Sequence, residues 1–251
     1  MSLSEQWPAA KVTPPRPVRL ASRERLLVPL DAAAREGQVI LLVAPGGSGK
    51  TTLVADWASR ATLPVAWYHL DPSDRDTGRM LQGIVAAVDV ALPGRVEEAR
   101  RALAAGAPET AGLGLLLGAL EDTPLILVLD DFHALDDLPE ATALWEHLLR
   151  FRPPALCLAI LSRTVPILSF AMLAATGALL GIGRTDLGFD GREAADLLAV
   201  HGLDSEDAER YAAQSDGWAM GVLLFARAAP GGMRFLHNRA DLLLEQLGSQ
   251  V

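Results

Sequence analysis

One stretch of the sequence decides the fold: Ala44-Pro45-Gly46-Gly47-Ser48-Gly49-Lys50-Thr51-Thr52. It follows the apolar run 39–43, which has the length of a strand, and it precedes residues 53–58, which have helical character. A strand, a glycine-rich turn that ends in Lys-Thr, and a helix together form the P-loop arrangement. The sequence therefore predicts a site that binds the phosphates of a nucleoside triphosphate.

Each residue type of this stretch has a physical reason to be there. Glycines let the backbone turn tightly and aim its N–H groups inward, because no Cβ keeps a phosphate away. The beginning of the helix adds unpaired N–H groups and the positive end of its dipole. We expect Lys50 to reach the β- and γ-phosphates and the Thr51 hydroxyl to ligate Mg²⁺. The residues predicted to contact the nucleotide are Pro45, Gly46, Gly47, Ser48, Gly49, Lys50, Thr51 and Thr52.

A second element of the predicted site is the aliphatic run 125–129, which ends in two acids. It is typical of a buried parallel strand whose carboxyl end points into a nucleotide crevice. We expect Asp130 to hold Mg²⁺ as the Walker B acid, and Asp131 to orient or deprotonate the attacking water. An Asp-Asp pair is equally typical of a solvated turn, but a P-loop about 80 residues upstream favours the catalytic interpretation. His133 is expected to hydrogen-bond locally in the loop.

A third element is Arg163, which follows the next apolar strand, 156–161. From that position a cation can contact the γ-phosphate through charge-assisted hydrogen bonds that a diphosphate leaves unused. The alternative is an ordinary surface arginine. The predicted catalytic residues are therefore Lys50, Asp131 and Arg163.

Composition limits the classes of function. The chain has 251 residues, a hydrophobic fraction of 50%, and a formal net charge of −9. An acidic chain without a lysine-arginine stripe is not expected to bind DNA directly, because phosphate contacts need clustered cations. Cys157 is the only cysteine, so neither a disulfide framework nor a cysteine-based metal site is predicted. No signal peptide is visible, and we expect a cytoplasmic location.

The organisation of the chain follows from its apolar pattern. Residues 1–17 are predicted to be an extended, proline-stiffened arm. Over 18–187 apolar strands alternate with helices, which indicates a P-loop NTPase of the α/β class with a parallel sheet covered by helices on both faces. Residues 188–229 are predicted to form a small all-helical domain. In it, Asp190 and Glu193 form a predicted capping box, and Trp218 is expected to anchor the packing of the domain.

Residues 164–183 carry no charge, and this length raises the question of a membrane span. Pro166, polar residues and glycines interrupt the run. A helix near 167–176 followed by a short strand to Ile182 fits this pattern better, and no membrane contact is predicted.

Several ordered motifs together resemble a known family. They are Pro14-Pro15, Ser22-Arg23-Glu24-Arg25-Leu26-Leu27, the P-loop with Trp57, Trp67-Tyr68, Leu129-Asp130-Asp131-Phe132-His133, Leu161-Ser162-Arg163, Asp186-Leu187-Gly188-Phe189 and Gly217-Trp218. This set is similar to the nucleotide-binding module of the large ATP-dependent LuxR-type transcription regulators, which are STAND-class ATPases. The resemblance covers roughly residues 11–228.

The resemblance implies an ATP/ADP switch with slow ATP hydrolysis, in which ATP and an inducer drive self-association of the full-length protein. Adenine is the base it implies. Members of this family continue with a winged-helix segment, a helical sensor and a C-terminal helix-turn-helix, which do not fit in this chain. We therefore expect residues 230–251 to begin a truncated winged-helix-like segment. The alternative function is a metabolic P-loop kinase or another phosphotransferase acting on a small acceptor, which would need an acceptor pocket and an arginine-rich lid.

Overall fold

The computed structural model describes residues 7–16, 20–136 and 138–228. A parallel five-stranded sheet forms its centre, with the strand order β2-β3-β4-β1-β5. The strands are β1 (Val39–Val43), β2 (Val65–His69), β3 (Leu125–Asp130), β4 (Leu156–Ser162) and β5 (Leu179–Ile182). Because all pairs are parallel, the carboxyl ends of β1, β3 and β4 meet at one edge of the sheet.

Helices cover both faces of this sheet. One face carries α2 (Glu24–Arg35) and α3 (Lys50–Arg60). The other face carries α1 (Ala9–Val12), α4 (Thr77–Ala91), α5 (Glu97–Ala104), α6 (Glu109–Ala119) and α7 (Pro139–Phe151). The predicted α/β fold is confirmed.

The alternation of side chains along the strands explains why the sheet needs both layers. Every residue of β3 is buried, yet Leu127 packs with the α4 side of the core and Val128 with the α2 side. Successive residues of a strand point to opposite faces, so an unbroken apolar run requires cover on both. The apolar strands of the sequence therefore form a central sheet.

Three helices form a second, smaller packed unit. They follow α8 (Phe170–Ala175) and α9 (Arg184–Leu187), and they are α10 (Gly191–Val200), α11 (Ala208–Gln214) and α12 (Ala219–Ala228). Their apolar faces meet in a separate cluster that includes Phe189, Leu198, Tyr211 and Val222. Ala21, which precedes α2, joins the same cluster and connects the small unit to the segment before α2.

The structure differs from the predicted extended arm. Within the arm, residues 9–12 form α1, and Trp7 and Val12 are buried in the core on the α4 side of the sheet. The Trp7 ring meets the Tyr68 ring edge-on, with a centroid distance of 5.9 Å. The arm packs on the domain because its apolar side chains are buried and because Lys11 forms ion pairs with Asp71 and Asp74. The proline content of the arm gave no indication of these contacts.

The uncharged stretch folds as a short helix and a strand, α8 and β5, close to the predicted positions. In the described part of the chain, no helix combines the length and the apolar character that crossing a membrane requires. The predicted winged-helix-like beginning at 230–251 lies outside the described residues.

Candidate nucleotide-binding site

The predicted P-loop joins β1 to α3 at the carboxyl edge of the sheet. Gly47 and Gly49 have positive φ values of 73° and 84°, in the left-handed region that favours glycine. The helix begins at Lys50, so its first N–H groups face the loop. A Cβ on Gly46 would meet nothing closer than the Arg163 guanidinium carbon at 3.8 Å, which leaves the loop open to a ligand.

Lys50 is buried at the base of this loop. Its Nζ donates to the carbonyl oxygens of Ala44 at 2.5 Å and Pro45 at 3.2 Å. Burial lowers the pKa of Lys50, with a further lowering by Arg163 and an opposing effect of Asp131 and Asp130. Among the described residues, this buried ammonium donates to neutral carbonyls alone, which suits a site that receives an anion.

Thr51 and Asp130 form the part of the site that could hold a metal ion. The Thr51 hydroxyl donates to Asp130 Oδ1 at 3.0 Å, and the backbone N–H of Asp131 reaches the same oxygen at 3.1 Å. Asp130 is buried at the end of β3. A hydroxyl and a carboxylate are the oxygen ligands that Mg²⁺ uses beside a nucleotide, so these residues fit that ion. Among the described residues, no group of three or more His, Cys, Asp or Glu side chains could hold a metal ion, so Mg²⁺ here would need phosphate and water oxygens as further ligands.

Asp131 lies between two histidines. It has a left-handed backbone with φ 56°, and its side chain is 34% exposed. His133 Nδ1 lies 3.7 Å from Asp131 Oδ1, and His69 Nε2 lies 3.9 Å from Oδ2. Burial lowers the pKa of His133, whereas a hydrogen bond with Asp130 raises the pKa of His69. His133 Nδ1 is buried without a hydrogen-bond partner among the described residues, which differs from its predicted local bond.

His69 is the residue of this site that sequence reasoning missed. It ends β2, and the strand register places it directly opposite Asp130. The sequence did carry a sign of this position: His69 is a polar residue at the end of an apolar strand, and such residues lie at the edge where the other parallel strands end. The neighbouring position of β2 and β3 in the sheet could not be read from the sequence.

Arg163 follows β4 and lines the same cavity as Lys50 and Asp131. It is exposed, and it makes no hydrogen bond or ion pair with the residues that the structure describes. The three predicted catalytic residues therefore meet around one cavity, although they come from three separate strand ends.

This cavity has a volume of about 460 Å³ and two kinds of lining. Residues 46–52 of the loop form part of it, so every predicted nucleotide contact except Pro45 lines the cavity. Apolar side chains from the segment before α2 and from the small helical unit form another part, namely Leu20, Ala21, Leu197 and Leu223, beside His201. A lining with both polar and apolar parts suits a ligand that has a phosphate tail and a flat base.

The small helical unit touches the loop directly. Trp218, which the sequence predicts to anchor the packing of the small domain, donates from Nε1 to the Gly46 carbonyl at 2.9 Å. The N–H of Met220 donates to the Gly47 carbonyl at 3.1 Å. Two consecutive loop carbonyls are therefore satisfied by the unit that closes the cavity.

Two arginines at the beginning of α2 bind the segment that leads into the small unit. Arg25 binds both oxygens of Glu193 at 2.8 and 2.9 Å and the carbonyls of Asp186 and Gly188. Arg23 is buried and reaches Glu193 at 3.4 Å. Asp190 accepts from the Glu193 N–H as predicted, but the capping box is wrong in its second half, because these arginines engage the Glu193 carboxylate.

No protein-family model matches the chain. The HTH-type transcriptional regulator MalT of Yersinia pestis (strain Pestoides F) is 36% identical over 225 residues, which are 84% of this chain and 24% of that protein. MalT of Serratia proteamaculans (strain 568) is 36% identical over 226 residues, or 85% of this chain and 24% of that protein. The chain thus spans about a quarter of the length of the curated relatives it matches.

Among solved structures, the Aeropyrum pernix ORC1 protein in complex with DNA is similar, with a TM-score of 0.51 and 19% identity. The likeness covers 84% of this chain and 59% of that chain. At this identity it concerns the fold alone. By its identity with the curated relatives over most of its own length, the chain belongs to the family of HTH-type transcriptional regulators that includes MalT.

Proposed function

We propose that the chain is the ATP- and ADP-binding switch module of a transcription regulator of this family. One observation carries the proposal: the cavity is closed by both the P-loop and the small helical unit, and the Trp218–Gly46 and Met220–Gly47 hydrogen bonds join them. A ligand in the cavity contacts both parts at once. Its phosphates can therefore bias how the two parts sit together.

The cavity supports a nucleotide rather than a bare phosphate. Its volume lies within the range of ligand sites of small molecules. The loop and Lys50 would hold the phosphates, Thr51 and Asp130 would hold Mg²⁺, and the apolar side chains of the lining would hold the adenine. Mg²⁺, when bound, neutralises charge on the phosphate oxygens.

Slow hydrolysis of ATP would reset this switch. The reaction forms a bond between a water oxygen and the γ-phosphorus and breaks the bond to the ADP oxygen, and the water proton passes to a base. Asp131 is the base we propose, because it lines the cavity beside Lys50 and Arg163. Arg163 would contact the γ-phosphate, since its guanidinium has no ion pair within the described residues.

The proposal extends to the longer protein. There the division into an NTPase domain (18–187) and a small helical domain (188–229) would let ATP drive self-association, in the cytoplasm where the regulator meets its promoter. The acidic charge of this piece leaves direct contact with DNA to other parts of the protein. No observation on the described residues favours the phosphotransferase alternative.

Nucleotide binding is tested with Lys50→Ala. The wild type should be stabilised by about 2.7 kcal/mol when Mg²⁺-ADP is present at a hundredfold excess over its dissociation constant. Lys50→Ala should lose this stabilisation, because the phosphates lose their buried cation.

Lys11→Met is a matched control, since Lys11 and Lys50 are both 7% exposed and Lys11 pairs with Asp71 and Asp74, which do not line the cavity. Lys11→Met should keep the full response to ADP. Equal responses of the wild type and Lys50→Ala would refute the proposal.

A further inference from the structure

His69 lies between the two acids at the end of β3. Its Nδ1 is 3.5 Å from Asp130 Oδ2, and its Nε2 is 3.9 Å from Asp131 Oδ2. The register between β2 and β3 pairs His69 with Asp130, so the sheet fixes the position of the His69 Cα beside that acid. Its side chain is 42% exposed, so solvent reaches the ring, and the ring contacts the cavity through Asp131 rather than lining it.

The other oxygens of these carboxylates already have neighbours. Asp130 Oδ1 accepts from the Thr51 hydroxyl and from the Asp131 N–H. Asp131 Oδ1 faces the buried Nδ1 of His133 at 3.7 Å. In the part of the chain that the structure describes, His69 is the group that faces the remaining oxygen of each acid, Oδ2 of Asp130 and Oδ2 of Asp131.

The Asp131 side chain needs a neighbour that fixes its direction, because the end of β3 restricts it little. It follows the last residue of β3, it has a left-handed backbone, and a third of its side chain is exposed. A short carboxylate in this setting can rotate into solvent. An imidazole nitrogen lies near each of its oxygens, Nδ1 of His133 near Oδ1 and Nε2 of His69 near Oδ2. A proton on Nε2 of His69 would attract Oδ2 and favour this direction of the carboxylate over the others.

We propose that His69 is a positioning residue for ATP hydrolysis, which holds the Asp131 carboxylate towards the attacking water and links it to Asp130. The inference rests on the proposed function. His69 contacts neither reacting atom in this role and acts through Asp131. A misdirected base costs rate without loosening the phosphate grip, and misplacement by about 1 Å can cost on the order of a hundredfold in rate.

The kinetic test compares His69→Ala, His69→Asn and His147→Ala in the whole chain. His69→Ala should lower kcat for ATP at least tenfold and leave KM and the ADP dissociation constant within twofold. His69→Asn should recover part of the loss, because its amide keeps one N–H donor. His147→Ala should behave as wild type, since His147 lies on α7 and packs on the Phe151 ring.

A double-mutant cycle separates positioning from a general loss of structure. In an Asp131→Asn background, His69→Ala should cost less than twofold in kcat, because the base it positions is gone. An equal loss in both backgrounds, or a rise in KM at unchanged kcat, would overturn the inference.

A measurement without nucleotide completes the test. The NMR signals of the His69 ring should move in Asp131→Asn and stay unchanged in Asp136→Asn, a nearby acid on the same loop. Unmoved signals would count against the contact. A wild type that binds ADP but never hydrolyses ATP would overturn the role of His69, whereas a wild type that binds no ADP would overturn the proposed function itself.

Discussion

The indole Nε1 of Trp218 donates a hydrogen bond of 2.9 Å to the carbonyl oxygen of Gly46, a residue 172 positions earlier in the chain. A P-loop backbone is expected to turn its N–H groups to the phosphates. Its carbonyls then face away, and here the small helical unit binds two of them. The loop is thus in contact with both the cavity and the small unit.

The first prediction concerns the Trp218 bond. Trp218→Phe keeps an aromatic ring but removes the N–H donor, so it should weaken the contact between the small helical unit and the P-loop by about 1 kcal/mol. Hydrogen exchange of the Met220 amide should then become about fivefold faster. Trp145→Phe is the control, because Trp145 Nε1 is buried with no partner in the described structure. It should lower overall stability through lost packing without a selective effect on Met220. Identical exchange patterns in both variants would contradict the bond.

The second prediction compares two glycines of the loop. Gly47→Ala and Gly49→Ala share the cost of a positive φ, but only at Gly47 would the Cβ meet the Met220 Cβ, at 2.9 Å. A Cβ on Gly49 would have no atom within 4 Å. Without nucleotide, Gly47→Ala should therefore be less stable by an additional ~1–3 kcal/mol, the cost of overpacking. Thermal unfolding measures the difference, and equal losses would show that the small unit does not dock on the loop.

The third prediction tests Arg163 as the residue that senses ATP. Arg163→Ala should weaken the binding of ATP more than the binding of ADP, because only ATP loses the bond to its γ-phosphate. A charge-assisted hydrogen bond of this kind contributes about 1.5–3 kcal/mol. The preference for ATP over ADP should fall at least tenfold, as measured by calorimetric titration of both nucleotides. Arg150→Ala, an exposed arginine on α7, serves as the control and should leave both affinities unchanged. If the affinities for ATP and ADP fall by the same factor, Arg163 is a structural residue and does not sense the γ-phosphate.

The fourth prediction concerns acid stability at the N-terminal segment. Burial opposes ionisation of Asp71, but hydrogen bonds from Lys11, at 2.7 Å, and from Ser73 prevail and lower the pKa of Asp71 to about 2. A lowered folded pKa stabilises the fold above the unfolded value, near 3.8, and this stabilisation is lost as the pH falls towards 2.

Lys11→Met should therefore be less stable than wild type at pH 6, and the gap should narrow between about pH 4 and pH 2. Urea unfolding at several pH values measures this difference. A gap that stays constant over the whole range would show that Lys11 contributes packing rather than charge.

Local patterns predicted the strands, the P-loop and the positions of Asp130 and Arg163, because each depends on a short run of residues. An apolar run that ends in a polar residue indicates both a buried strand and the edge to which that residue belongs. The sequence could not reveal contacts between distant segments. His69 beside Asp131 and Trp218 on Gly46 depend on strand order and on domain docking, which no local period encodes.

Glu193 illustrates a second reason. Its spacing from Asp190 fits a capping box, and that local bond competes with two arginines that the fold brings from 168 and 170 positions away. A charge-assisted pair with Arg25 stabilises the buried Glu193 carboxylate more than a hydrogen bond to a backbone N–H would. The N-terminal arm differs from its prediction for a similar reason, since Trp7 and Lys11 are held by partners on and after β2.

The position of β1 in the sheet has a consequence for biosynthesis. Among the described strands β1 pairs with β4 and β5 alone, so its strand neighbours are more than a hundred positions further along the chain. A ribosome adding about 5–20 residues per second needs roughly 5–20 s to supply the first of them. During that time the run Val39-Ile40-Leu41-Leu42-Val43 has emerged with both of its edges unpaired. The strand that carries the P-loop is therefore a natural binding segment for a chaperone until Ser162 has been added.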